Sequence, residues 1–341
     1  MGHVIVRLES EGIINIWGIL TCNFIYSFHV PLLFVLSGIC FSLAYSKGDE
    51  LQVQKIRTTI KNNALLYLIW SFIFLLYKLV FSRFTIEKVS YKDALSIPII
   101  AQSSLWYIYI LVIAYVLVVV AYKRKATKML LQVIVFVACI LMPFNSRPEL
   151  EIYTIFRCGY IFFFIIGMEF GKLFAYLDNI TEINARQVIR NRLGTAAGFL
   201  GVFSFIGLGY EHYYLKNRGF SRGGWSDVPI VGLLQAVIFS SFIIVIAYMI
   251  NNKRYKCSVL EYLGKNSLEI YILHMFIFTP VIKIFIRVQL NYALVILITS
   301  VLTVSISLGI SWILRKVGMW QLFFKPYSFL RNKVVYKNRF E

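Results

Sequence analysis

The chain has 341 residues, of which 59% are hydrophobic and only 15% charged, with a formal net charge of +19 and a mean hydropathy of +0.73. Soluble domains carry about 45–50% apolar and about 25% charged residues, so these values exclude an ordinary soluble domain and indicate a polytopic membrane protein. The five cysteines show no CxxC pairing and most lie in apolar runs, so no zinc site or disulfide framework is implied. There is no Gly-rich phosphate loop and no internal repeat, and the basic residues fall between apolar runs, a pattern of topology rather than of nucleic-acid binding.

The chain opens with MGHVIVRLES, ahead of any full hydrophobic span. Apolar runs long enough to cross a bilayer follow near 24–45, 63–82, 104–122, 129–144, 154–171, 194–211, 228–250, 259–286 and 293–314. The predicted fold class is therefore an all-α polytopic transmembrane helical bundle with nine spans. Alternate loops differ sharply in charge. The segments 46–62, 123–128, 172–192, 251–258 and 315–341 hold 22 Lys and Arg, and the intervening ones hold nine. The positive-inside rule makes the first set cytoplasmic and puts the C-terminus inside. Residues 1–318 read as the transmembrane domain and 319–341 as a basic, aromatic cytoplasmic tail for the anionic inner leaflet. The same map puts residue 1 outside, so a further helix is expected upstream and ten spans in the intact protein.

Ionisable residues inside apolar runs are costly and mark candidate sites. The first is His29 in FHVPLLFVLSG (28–38), about five residues into its span from the outer side, with Pro31 in the following turn. Trp106 in SLWYIYIL lies at similar depth, and Arg157 in YTIFRCGYIFFF near the outer interface is expected to orient substrate. Glu169 is twelve residues beyond Arg157, roughly 18 Å deeper, so the two are not expected to pair. Lys78, Lys265 and Lys283 sit near helix ends and can snorkel. In LGKNSLEIYILH (263–274), Ser267, Tyr271 and His274 share one helical face, with Asn266 and Ser267 at its cytoplasmic start as cap or ligand contacts. Histidine moves a proton at neutral pH, so general-base catalysis is the functional reading of the set. The outer segment 212–227, HYYLKNRGFSRGGWSD, has aromatics and donors suited to carbohydrate, and equally reads as a basic interfacial loop.

Five segments in order resemble a known family. FHVPLLFVLSG (28–38) is similar to FHMPLFFFLSG, and KIRTTIKNNALLYLIWS (55–71) to a basic segment running into the next helix. LWYIYILVIAYVL (105–117) resembles an LWFL-type helix, YIFFFIIGMEFGK (160–172) an FFxxG segment, and LGKNSLEIYILH (263–274) a GxxSLxIYLLH signature. Together they resemble the membrane-bound acyltransferase family 3, integral membrane enzymes that O-acetylate sugars and polysaccharides. Gly2–His3 matches the Gly-His pair that usually ends the family's first helix, and the resemblance makes that histidine the leading catalytic residue. Two departures stand out: Leu66–Tyr67 stands where the family has Pro-Tyr, and the family's first half of helix one, with the basic residue usually ahead of the histidine, has no counterpart in the 341 residues.

The resemblance implies transfer of an acyl group, foremost acetyl, from cytoplasmic acyl-CoA to a glycan hydroxyl at a cell membrane. No bound cofactor or metal is implied, and no nucleic acid partner. The expected base is His3, with His29 and His274 as relay or orienting groups. Substrate contacts are expected from Trp106, Arg157, Ser37, Asn266, Ser267 and Tyr271. The competing reading is a multispan transporter or glycan flippase, though no matching pair of interrupted helices supports an inverted repeat.

Overall fold

The computed structural model of the chain describes residues 2–13, 16–47, 50–81, 97, 105–141, 157–179, 183–218, 229–252, 257–288 and 290–337. Among these residues the protein is all helical apart from one two-residue hairpin, Ser46–Lys47 against Glu50–Leu51. The helices are α1 (Gly2–Ser10), α2 (Ile16–Tyr45), α3 (Val53–Val80), α4 (Trp106–Ala121), α5 (Lys125–Leu141), α6 (Ile161–Asp178), α7 (Ile183–Arg218) and α8 (Pro229–Asn252). They continue with α9 (Ser258–Lys265), α10 (Ser267–Arg287), α11 (Tyr292–Lys316), α12 (Trp320–Phe324) and α13 (Pro326–Lys337). A 3-10 turn at Arg157–Tyr160 leads into α6. In hydrocarbon every backbone amide must find its partner within the chain, and the helix does this residue by residue.

Among the described residues five stretches are long and apolar enough to span a membrane: Phe24–Tyr45, Val53–Val80, Leu233–Ile250, Ser267–Arg287 and Tyr292–Lys316. The protein is thus a multi-pass membrane protein. Among the described residues the nine predicted runs fall on helices, with shifted boundaries. The expected span 259–286 is broken at Asn266, whose φ of −107° and ψ of 16° interrupt the helical path. Its Nδ2 donates to the Tyr262 carbonyl at 2.7 Å and closes the short α9. Helix α2 begins at Ile16 rather than 24, so His29 lies thirteen residues, roughly 20 Å, along it rather than five residues in. The expected loop 172–192 is mostly helical, because α6 runs to Asp178 and α7 starts at Ile183.

The tightest crossing is α2 on α6. A Cβ added at Gly38 would strike the Phe164 carbonyl oxygen, and one at Gly167 would strike that of Val35. One at Gly171 would lie 2.7 Å from the Ser42 Cβ. Gly38 and Ser42 on α2 thus face Gly167 and Gly171 on α6, each pair four residues apart. Lipid supplies no hydrophobic drive between helices, so such close backbone approach is what holds them together. Around it pack Phe34, Phe41, Tyr115, Phe164 and Met168, with the Phe41 ring 4.9 Å from Tyr115 and 5.4 Å from Phe164. Glu169 on α6 pairs with Lys172 at 3.2 Å and Lys128 at 3.7 Å.

The C-terminal segment through Lys337 docks on the bundle. The Trp70 indole donates to the Phe323 carbonyl at 2.9 Å. Asn62 donates to Ser328 Oγ at 2.9 Å and accepts from the Ser328 amide at 3.0 Å. At the α10–α11 junction, Arg315 donates to Asn266 Oδ1 (2.8 Å) and to Glu269 Oε1 (2.7 Å), and the Trp320 indole donates to the same carboxylate oxygen at 3.0 Å.

Candidate active site

Three helices bring the polar residues together. On α2 the face Tyr26, His29, Val30 and Leu33 repeats at helical spacing, and on α10 the face Ile270, Tyr271, His274 and Phe278 does the same. Helix α1 lies across both: Val4 and Leu8 are fully packed against Phe278, Ile282 and Val295, which turns Gly2 and His3 toward α2 and α10. These faces, with Trp106 and Tyr107 at the head of α4 and Ser300, Thr303 and Val304 on α11, enclose a cavity of about 430 Å³.

His3, His29 and His274 all line it. The His3 ring stacks on His274 with centroids 5.4 Å apart and planes 22° apart, and on Phe278 at 6.0 Å. Tyr26 bridges His3 and His29: its hydroxyl is 3.2 Å from His3 Nδ1, and its ring meets His29 edge-on at 4.6 Å. His29 Nδ1 lies 2.8 Å from the Ile25 carbonyl, and His274 Nδ1 lies 2.5 Å from that of Tyr271. A carbonyl only accepts, so both Nδ1 atoms carry hydrogen. In the neutral ring Nε2 then has its lone pair, the form a general base needs. The His3 side chain is exposed at the cavity rather than packed into the core.

The remaining expected contacts divide. Trp106 and Tyr271 line the cavity. Ser37 lies one turn beyond Leu33 and acts from behind, its hydroxyl 2.5 Å from Tyr107 Oη, while the Tyr107 ring packs edge-on against Tyr271 at 5.4 Å. Asn266 is not at the cavity. It is buried at 4% exposure and held by Arg315 and Tyr262. Ser267 is exposed at the start of α10, away from the cavity. Arg157 heads the 3-10 turn whose Tyr160 ring packs on Trp106 at 5.3 Å, but its side chain lies outside the described residues. The same holds for most of the 212–227 segment.

Tyr26 and Tyr107 are cavity residues that sequence reasoning missed. Tyr26 stands three residues before His29, on the same helical face, and that spacing was the available signal. Among the described residues no group of three or more His, Cys, Asp or Glu side chains is arranged to hold a metal ion.

The arrangement offers two imidazoles with basic Nε2 atoms and a third ring tied to a hydroxyl, in an aromatic chamber large enough for small reacting groups. It suits proton transfer to or from a hydroxyl under attack. No curated protein and no solved structure matches the chain. A family model described as an acyltransferase domain matches residues 1–312, nearly the whole bundle and every residue of this cavity, so the chain belongs to acyltransferase family 3 and is a membrane acyltransferase.

Proposed function

We propose that this acyltransferase moves an acetyl or similar acyl group from acyl-CoA to a hydroxyl of a cell-surface or lipid-linked glycan, at a cell membrane with its C-terminus cytoplasmic. The observation that carries the mechanism is the meeting of His3, His29 and His274 in one cavity. His3 is the proposed base, since it touches both His274 and Tyr26 and stands where the family's signature histidine is expected.

In the step, the acceptor hydroxyl oxygen attacks the thioester carbonyl as its proton passes to an imidazole Nε2. The C–O bond forms, the C–S bond breaks, and the imidazolium proton goes to the departing CoA thiolate. A positioned base contributes about 10²–10⁴-fold to such a transfer. His29 and His274 relay or orient, and Trp106 and Tyr271 hold substrate against the chamber wall. Basic segments at 55–61 and 123–128 would attract the anionic donor on the cytoplasmic side.

The test uses purified protein in lipid nanodiscs with acetyl-CoA and glycan acceptors. Acceptor-dependent thiol release and O-acetyl product are expected, with loss in His3→Ala. Glycan movement across the bilayer without thiol release would instead favour the transporter reading.

A further inference from the structure

We propose that Tyr26 is a positioning residue that acts through His3, holding His3 Nδ1 so that Nε2 faces the substrate; this rests on the reading of His3 as the base. Three observations carry it. The Tyr26 hydroxyl is 3.2 Å from His3 Nδ1, with the two rings edge-on at 84°. Gly2 makes room for that ring, because a Cβ there would lie 2.9 Å from Tyr26 Cε2. The same Tyr26 ring meets His29 at 4.6 Å, so one side chain fixes the relation of two histidines on separate helices.

The contrast among the three imidazoles gives Tyr26 its significance. His29 and His274 place Nδ1 on carbonyls of their own helices, which only accept, so their tautomer is fixed locally. The Nδ1 partner of His3 is a phenol on a different helix, and a phenol both accepts and donates. When Nδ1–H donates to Oη, Nε2 holds the lone pair. When Nε2 takes the acceptor's proton, the resulting imidazolium keeps its Nδ1–H on Oη and the bond strengthens as charge develops. Once the proton leaves for the thiolate, the starting tautomer returns. Gly2 thereby acquires a reason to precede His3: a side chain there would push the phenol off the imidazole.

The test compares wild type, Tyr26→Phe, Gly2→Ala and His3→Gln by acetyl-CoA turnover and by nitrogen NMR of protein with labelled histidines. Only four histidines are present, and the His3→Gln spectrum identifies the His3 signals. Tyr26→Phe is expected to lower kcat about 10–100-fold, the worth of one hydrogen bond to a charged ring, with the acyl-CoA KM nearly unchanged. It should also move the His3 nitrogen shifts toward a mixed tautomer and leave those of His274 in place. Gly2→Ala should produce the same His3 change with the phenol retained. Unchanged His3 shifts in Tyr26→Phe, or an unchanged kcat, would overturn the inference. Full activity in His3→Gln would instead overturn the reading of His3 as the base, whatever the spectra show.

Discussion

The first turn of α10 and the turn that carries His274 treat polar residues in opposite ways. At its start, Asn266 and Glu269 are buried and fully engaged: Glu269, 2% exposed, accepts from both Arg315 and Trp320, and Asn266 accepts from Arg315 and donates to Tyr262. Five residues beyond Glu269, roughly 8 Å along the helix, His274 bonds only its own backbone through Nδ1 and presents its ring to a cavity. The first pattern is how a membrane protein joins helix ends; a buried carboxylate is tolerable only with such partners. The second leaves chemistry available to a visitor. Burial and polarity alone do not separate the two, whereas the direction of the remaining hydrogen-bonding capacity does.

The contrast can be broken most decisively at the cavity. His3→Ala is expected to reduce acyl transfer about 10²–10⁴-fold while the thermal midpoint in detergent stays near wild type. A parallel fall in both would mean that His3 belongs with the structural cluster. At the junction the expected outcome is inverted. Glu269→Ala or Arg315→Met should lower stability by about 1.5–3 kcal/mol, seen as a reduced melting temperature, and reduce turnover only through loss of folded protein. The glycine crossing sharpens the comparison from a third position. Gly167→Ala places a methyl against the Val35 carbonyl and should cost about 1–3 kcal/mol, measured by thermal denaturation, with turnover per folded molecule retained. The smallest effect is expected from Ser37→Ala. It removes one hydrogen bond to Tyr107, worth about 1 kcal/mol, and should loosen one wall of the cavity enough to raise the acceptor KM a fewfold.

Much of the architecture was legible because hydrocarbon imposes a simple rule. Long apolar runs had to be helices, and among the described residues the runs read from the sequence are helical, with 259–286 broken at Asn266. His29 and His274 were legible by cost, since ionisable groups in such runs need a purpose, Trp106 by its similar depth and Tyr271 by sharing a helical face with His274. His3 was legible only through its match to a family signature. The rest required three dimensions. Asn266 and Ser267 stand at the start of the helix that carries His274, but nothing in the spacing shows that Arg315, nearly fifty residues later, captures Asn266. The spacing of Tyr26 to His29 put it on the same helical face, but its contact with His3 appears only once α1 lies beside it. The role of Gly38 depends on a carbonyl of Phe164 over a hundred residues away. Start points also moved: the helix that carries His29 begins at Ile16, eight residues before the expected start at 24.

The most direct test of the histidine cavity is the rate of acyl-CoA-dependent transfer by purified His3→Gln protein, compared with wild type at equal folded concentration and in the same nanodiscs. The arrangement of His3 between His274 and Tyr26 predicts a loss of at least about a hundredfold, with the protein still folded. A wild-type rate in that variant would contradict the account.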